Sequence, residues 1–477
     1  MEDCSKLPLC VDLDGTLICT DLLQESLLAF VKQRPLLLIF LPFWLLRGLA
    51  FLKERIARQV NINIETLPYQ KEFLQYLHHE QALGRVLVLA TASHRYFADQ
   101  IAAYLGIFSA VYATQGTQNL AGKTKRDVLV KHYGVKGFDY AGNSRADLPV
   151  WQAAHATIIV NPEHGVFAAS LKQGPVALHF KKKSKLFSNC IKSLRLHQWL
   201  KNTLIFVPFL LAHKINEPKL WALLVLAFMS FSLCASSIYI LNDLFDLDAD
   251  RLHPRKCHRP LASGDLSVLS GISLFLILCC CSFILAIFWL SPTFCLVLAV
   301  YLGLTISYSF GLKKIILLDT LLLSALYTIR IIAGATASDI APSFWLLIFS
   351  VFLFFSLALV KRYSELLGTK QRNQNIIPGR DYHVEDIILL MMFGVTSGFL
   401  AVLVSALYIN SSDASLLYQH PDFLWMVPVI LLYWISRVWL ITHHGDMHDD
   451  PIIFAAKDKV SWITAIILGF ILFLASA

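Results

Sequence analysis

Two short strings in this chain carry residues whose types and spacing could do chemistry. The first, "CVDLDGTL" (residues 10–17), sets Asp12 and Asp14 two positions apart just beyond an apolar run, so both carboxylates can project around one strand-end loop. The second, "LNDLFDLDADRLHPRKCHRPLASG" (residues 241–264), sets four Asp before four Arg or Lys. Asn242, Asp246 and Asp250 recur every fourth residue, so on a helix each is turned only about 40° from the last and the three oxygens share a face. Two carboxylates and an amide are hard ligands suited to Mg²⁺ that arrives with a substrate phosphate. Arg251, Arg255, Lys256 and Arg259 follow at once, and guanidinium and ammonium groups suit phosphate oxygens. Clustered acids repel one another on a helix unless a cation offsets them. The string therefore reads as a diphosphate site rather than as a wet turn.

The elements that must position these residues change in character near residue 180. Before it, short apolar runs such as "RVLVLATAS", "DYAGNSRAD" and "ATIIVNP" open into polar loops with helical stretches between, the pattern of a parallel α/β domain. After it, a basic connector leads into apolar runs long enough to cross a hydrocarbon core of about 30 Å. With 56% hydrophobic and 16% charged residues among 477, most of the chain belongs in a bilayer. Nine spans are expected, near 202–213, 220–241, 266–290, 293–310, 316–337, 343–360, 386–410, 423–442 and 460–477. The division falls at 1–180 and 181–477. Loops after the second, fourth, sixth and eighth spans carry most of the Lys and Arg, which places them in the cytosol with the α/β domain. The acidic start excludes a cleavable signal, and the ten scattered Cys read as reduced packing residues. The apolar stretch 34–52 is broken by Pro42 and Arg47 and reads as an interfacial helix or a membrane-leaning cap, with a buried core helix as the alternative.

The N-terminal string resembles the first motif of the haloacid dehalogenase (HAD) superfamily, whose members have a Rossmann-like α/β fold. The resemblance implies that Asp12 attacks phosphorus and that Asp14 serves as general acid and base. "LVLATAS" then supplies Thr91, "NLAGKTKRDVL" supplies Lys125 to neutralise phosphate, and "GNSRADLPVW" matches the fourth motif through Asp147. Asp12, Asp14, Asn143 and Asp147 would hold Mg²⁺. Asn143 stands where the family commonly has Asp, which removes one negative charge from the metal site.

The string at 241–264 resembles the first Asp-rich motif of the UbiA-type intramembrane prenyltransferases, all-α bundles of about nine transmembrane helices with a Mg²⁺-diphosphate site. Together with "RLHQWLKN", "TIRIIAGATA" and "KRYSEL", it is similar to the decaprenyl-phosphate phosphoribosyltransferase branch. Metal ligands would be Asn242, Asp246 and Asp250, with Arg251, Lys256 and Arg259 on phosphate. By the same resemblance Tyr308, Lys313, Asp319, Arg330, Lys361 and Arg362 would line the polar cavity. Aromatic prenyltransferases usually show a second acid cluster after the fourth span, but "SYSFGLKKIILLDT" offers Asp319 alone beside Lys313 and Lys314, which fits an extra phosphate better than an extra metal. Arg330 lies in mid-span, an expensive place unless it faces a polar site. In "HHGDMHDDPIIFAAKD", His443, His444 and His448 read as a wet loop before a metal site.

The expected activity joins phosphoribosyl pyrophosphate and polyprenyl phosphate, with a tethered phosphatase to remove the 5-phosphate. Two alternatives stand beside it: a prenyltransferase moving an isoprenoid from its diphosphate to an aromatic or other acceptor, and a membrane transporter or scaffold. A transporter would show paired internal repeats, whereas the acid burst occurs once. The expected partners are the two substrates and the lipid bilayer, with no nucleic acid, and the expected setting is a bacterial inner membrane.

Overall fold

The structure, a computed structural model, describes residues 7–116, 118–173, 175–181, 186–377, 380–447 and 450–476. The chain forms two compact units, Met1–Ser193 with Ile240–Leu274, and Leu194–Tyr239 with Phe275–Ala477. The acid and base string thus groups with the N-terminal domain.

The first unit is built on six parallel strands: β1 (Leu9–Val11), β2 (Leu87–His94), β3 (Ala110–Thr114), β4 (Asp139–Gly142), β5 (Thr157–Val160) and β6 (Val176–Phe180), in the order β3-β2-β1-β4-β5-β6. Parallel neighbours need crossover connections, and the order reverses at β1, which opens a crevice at the carboxyl ends of β1 and β4. β1 is buried on both faces, Leu9 and Val11 in one core and Cys10 in the other, which explains its unbroken apolar run. Helix α1 (Leu22–Gln33) follows, its first turn capped by Asp21, whose side chain accepts from the Gln24 amide. Helix α2 (Lys123–Tyr133) carries Lys125.

The apolar stretch 34–52 is no single helix. It folds as a 3₁₀ turn Pro35–Phe40, a short helix Leu41–Leu46 and the start of Leu49–Ala57, with Gly48 at φ +104° between them. Leu37, Leu38, Leu41 and Trp44 pack on the core, whereas Leu36 and Leu46 are 89% and 86% exposed. One side is anchored, and the other presents a bare apolar surface.

Eight helices among the described residues are long and apolar enough to cross a membrane: α3 (Pro218–Phe245), α5 (Val268–Trp289), α6 (Pro292–Phe310), α7 (Leu318–Ala337), α8 (Phe344–Gln371), α9 (Val384–Ile409), α10 (Pro421–His444) and α11 (Lys459–Ser476). A six-residue helix, α4 (Leu247–Leu252), follows α3. The expected first span, 202–213, is the exception. Its residues lie in a 3₁₀ helix Leu196–Phe206 that passes into a five-residue α-helix Val207–Leu211. It packs tightly against α7, because the Ile205 carbonyl sits where a Cβ on Gly334 would fall, 1.8 Å away. Only glycine permits that approach. α8 runs eleven residues past its expected end at 360, and this extension carries Lys361, Arg362 and Glu365. Among the described residues every Cys is free and no group of His, Cys, Asp and Glu is assembled to hold a metal. His443 Nδ1 pairs with Tyr363 Oη at 2.8 Å, and His448 lies outside the described residues.

Candidate active sites

At the carboxyl edge of the sheet, Asp12 follows β1 and its backbone N–H donates to Ala141 O on β4 at 2.9 Å. Lys125 Nζ donates to Asp12 Oδ1 (2.8 Å) and to Tyr140 Oη (2.9 Å), and lies 3.6 Å from Asp147 Oδ1. Asp12 Oδ2 has no hydrogen-bond partner among the described residues. Burial pushes the Asp12 carboxyl up to about 7, against the pull of Lys125. Asp14 is held at both oxygens: Leu22 N–H donates to Oδ1 (2.8 Å) and Ser93 Oγ donates to Oδ2 (2.6 Å). Burial raises its carboxyl to about 6, partly offset by those two bonds. A carboxyl poised there can both give and take a proton near neutrality.

The remaining predicted residues of this site take supporting positions. The Thr91 hydroxyl oxygen accepts from Ser93 N–H (2.9 Å), so it shapes the turn that aims Ser93. Asp147 is fully engaged: Tyr140 Oη donates to Oδ1 (2.7 Å), while Asn143 N–H, Ser144 N–H and Ser144 Oγ converge on Oδ2 at 3.0–3.1 Å. It ties down the loop that presents Asn143. Gly15, at φ +73°, passes so close to that loop that a Cβ would lie 2.1 Å from Asn143 Nδ2. Asp12 and the Asn143 carbonyl are hard oxygen donors on adjacent strand ends, a chemistry that fits Mg²⁺. The side chains of Asp14 and Asp147 point their oxygens at protein donors instead. Ser93 was present in the string "ATAS", but only the hydrogen bond to Asp14 separates its role from that of Thr91.

In the acid and base string, backbone bonds carry the helix through Asn242, Asp246 and Asp250. Asp246 N–H donates to Asn242 O and Asp250 N–H to Asp246 O, each at 2.8 Å, across a turn at Asp246 that separates α3 from α4. The basic residues are redistributed relative to the sequence reading. Arg259 bridges Asp243 (2.9 Å) and Asp250, so a guanidinium occupies one of the two carboxylates that spacing gave to a metal. Asp243, unassigned in the sequence, joins Asp250 because seven residues complete nearly two helical turns. Lys256 stands 3.9 Å from Asp250. Arg251 is withdrawn from any phosphate: its guanidinium donates to Glu25 on α1 at 2.6 and 3.3 Å, and its Nε to Ala262 O, with both side chains buried. Asn242 and Asp246 are half-buried hard donors, a chemistry that fits Mg²⁺ completed by phosphate oxygens and water.

The second unit holds two polar clusters. In one, Asp319 accepts from Arg362 Nε (2.6 Å) and Tyr382 Oη, Arg362 also pairs with Glu365, and Arg380 reaches Glu365 (2.6 Å) and Tyr308 Oη (3.3 Å). Asp319 is therefore matched to Arg362 and, at 3.9 Å, to Arg380. Lys313 sits in the 3₁₀ turn Leu312–Lys314. In the other cluster, Arg330 is buried and bonded to Asn202 Oδ1 (2.9 Å), Tyr301 Oη (3.3 Å) and Leu326 O. Lys361 and Lys201 both face Asp450, at 3.6 and 2.8 Å. A cavity of about 470 Å³ lies elsewhere; lined by apolar side chains such as Leu211, Trp345, Phe349 and Leu472, it offers no charge to a phosphate.

The profile of the UbiA prenyltransferase family matches residues 203–457, and that of haloacid dehalogenase-like hydrolases matches residues 9–152. Uncharacterized protein y4nM of Sinorhizobium fredii is 37% identical over 469 residues, which span 97% of this chain and 90% of that one. Nodulation protein NoeC of Azorhizobium caulinodans is 38% identical over 280 residues, 58% of this chain and 90% of its own. Decaprenyl-phosphate phosphoribosyltransferase of Mycolicibacterium smegmatis is 38% identical over 185 residues, which cover 38% of this chain and 58% of that protein. With eight apolar helices beside these matches, the chain belongs to the UbiA prenyltransferase family, as an integral membrane protein that carries a haloacid dehalogenase-like domain at residues 9–152.

Proposed function

We propose that the membrane part, from about residue 181 onward, transfers phosphoribose from phosphoribosyl pyrophosphate to a polyprenyl phosphate, and that the domain before it removes the 5-phosphate from the product. The observation that carries this reading is the likeness to the Mycolicibacterium phosphoribosyltransferase over 185 residues. The full engagement of Asp319 by Arg362 and Tyr382 supports it, since that carboxylate offers no second metal position of the kind that prenyl diphosphate chemistry uses. On the positive-inside rule the basic loops support a cytosolic setting for the charged ends of the spans and for the phosphatase domain, and the bare apolar side of Pro35–Leu46 suits contact with a lipid surface.

In the transfer, an oxygen of the polyprenyl phosphate attacks the anomeric carbon, and the bond to pyrophosphate breaks with its electron pair leaving on pyrophosphate. Mg²⁺ held by Asn242 and Asp246 would neutralise that departing charge. Lys256 and Arg259 stand at the same loop to bind the phosphates, and release of Arg259 from Asp243 and Asp250 would free those carboxylates. In the second step Asp12 attacks the phosphorus of the 5-phosphate. The ester oxygen leaves with the Asp14 proton, and water deprotonated by Asp14 then hydrolyses the aspartyl phosphate. Lys125 holds the attacking carboxylate and faces the incoming phosphate charge.

Purified protein in nanodiscs, given radiolabelled phosphoribosyl pyrophosphate and polyprenyl phosphate, should form a labelled lipid that is dephosphorylated on the ribose. Asp12→Asn should make the same lipid but leave the 5-phosphate on it, as read by mass. Incorporation of an isoprenoid into an aromatic acceptor, with no labelled lipid, would replace this reading with prenyl transfer.

A further inference from the structure

Helix α1 belongs to the phosphatase domain by sequence, yet its side chains grip the acid and base string. Glu25 accepts from the Arg251 guanidinium at 2.6 and 3.3 Å across 226 residues of sequence, and both side chains are buried. Gln24 Oε1 accepts from Leu269 N–H at 3.1 Å, 245 residues away in the first turn of α5. Lys32 Nζ stands 6.0 Å from the centre of the Phe245 ring, next in sequence to Asp246. Just ahead of α1, Cys19 packs on the turn that closes the string: a Cβ on Gly264, at φ +70°, would lie 2.7 Å from the Cys19 Cβ. Only glycine permits that approach. Arg251 extends the grip, since its Nε donates to Ala262 O at 3.3 Å and so joins α1, the end of α4 and the returning loop. On its other side Glu25 accepts from Thr20 Oγ1 at 2.8 Å, and the first amide of α1, Leu22 N–H, is the one that holds Asp14.

A buried ion pair seldom adds stability over an apolar pair of the same shape, and its best-attested use is to fix one register. What is fixed here is α4, which begins just after Asp246 and carries Asp250. Six residues are too few for a helix to hold itself in water, so the placement of these carboxylates comes from what surrounds them. Arg259 ties the string within itself, whereas Arg251 ties it to α1. We propose that α1 serves both sites: Glu25, acting through Arg251, is a positioning residue for the transferase, and the phosphatase domain is needed for diphosphate binding because of the helix it supplies and not because of its own chemistry. Groups that orient metal and phosphate ligands from behind govern affinity without touching the ligand. Because Asp14 hangs from the same helix, the two sites share one support. The proposal rests on the reading of the string as the diphosphate site of the transferase.

The full chain in nanodiscs is read in two ways. Hydrogen exchange of the backbone amides from 246 to 253, without ligand, reports on the clasp itself, and calorimetry with Mg²⁺ and inorganic pyrophosphate reports on the site. Glu25→Arg and Arg251→Glu each set like charges face to face, so exchange should quicken and pyrophosphate should bind more weakly, each by at least about tenfold. The double variant restores an opposite pair, and both readouts should return to within about threefold of wild type. A double variant that binds pyrophosphate as weakly as Arg251→Glu alone would make Arg251 itself a phosphate ligand and overturn the proposal. Exchange or binding left unchanged by either single variant overturns it too. Where a single variant fails to fold, Glu25→Gln, which keeps the shape and lowers the charge, decides the matter: binding weaker by about threefold supports the proposal, and unchanged binding overturns it. Pyrophosphate affinity that follows the pair in protein that transfers no phosphoribose would leave the clasp standing and remove the phosphoribosyl reading. Transfer at the wild-type rate in both single variants would do the reverse.

Discussion

Arg362 and Arg330 are both arginines buried in long apolar helices, yet their surroundings differ in kind. Arg362, fully buried, is matched by Asp319 and Glu365, and Glu365 is matched again by Arg380, so two acids face two bases. Arg330 has amide, hydroxyl and carbonyl oxygens around it and no carboxylate partner among the described residues. The first unit repeats the contrast. Glu25 and Arg251 form a closed buried pair, whereas Asp12, Asp14 and Asp147 outnumber Lys125 at the sheet edge. Balanced clusters hold the fold, because each charge already has its partner. On the function proposed above, an unbalanced cluster is where a ligand of the missing sign would bind, a cation at Asp12 among them.

The comparison breaks most visibly if the balanced cluster is cut. Arg362→Met leaves Asp319 and Glu365 buried or half-buried without their main partner, and removing one member of a buried pair costs about 3–5 kcal/mol. Unfolding in detergent should show that loss. Arg330→Met, which strands only neutral groups and relieves an excess of positive charge, should lose less than half as much. Equal losses would mean that charge balance does not distinguish the two clusters. Somewhat smaller in energy is the effect at the acid string. Asp246→Ala should lower transfer about a hundredfold, roughly 2.7 kcal/mol of transition-state stabilisation, with stability nearly unchanged. Asp250→Ala should lose transfer to a similar extent and stability as well, because Arg259 then keeps only Asp243. Near-normal transfer in either folded variant would remove the string from the diphosphate site.

What the sequence made legible was whatever depends on local pattern. Strand-end carboxylates, the α/β alternation and eight of the nine expected spans follow from period and run length, which are local properties. The segment 202–213 misled because its apolar count is that of a span while Lys201 and Asn202, just before and within it, are drawn into the polar interior, where Asn202 bonds Arg330 and Ser232. Partnerships across long separations were not legible. Spacing placed Arg251 beside phosphate, but its partner Glu25 lies 226 residues away. It placed Asp319 beside Lys313 and Lys314, whereas the arginine that claims it is 43 residues on. No periodicity announces Asp450 at Lys201 either. Charge in a sequence can be counted, but its balance is a property of the folded interior.

The smallest effect, and the finest test of the contrast, concerns Asp14. Burial raises its carboxyl to about 6, while the Ser93 hydroxyl and the Leu22 amide, which bond its ionised form, pull it down. Ser93→Ala removes one of these donors, so the ionised form loses support and the carboxyl must rise further. As general acid, Asp14 is active when protonated, and the rate of ester cleavage falls as pH climbs past its pKa. The alkaline limb of kcat/KM should therefore move upward relative to wild type, by roughly one unit, or about 1.4 kcal/mol. The substrate must be an alkyl phosphate such as ribose 5-phosphate, whose poor leaving group needs that proton. A nitrophenyl ester leaves without it and should show almost no shift of the limb. Thr91→Ala, which disturbs only the turn that aims Ser93, should move the limb in the same direction but less far. A downward shift in Ser93→Ala would mean that Ser93 supports the protonated acid, and the excess of carboxylates at this site would then have to be held by something other than the donors named here.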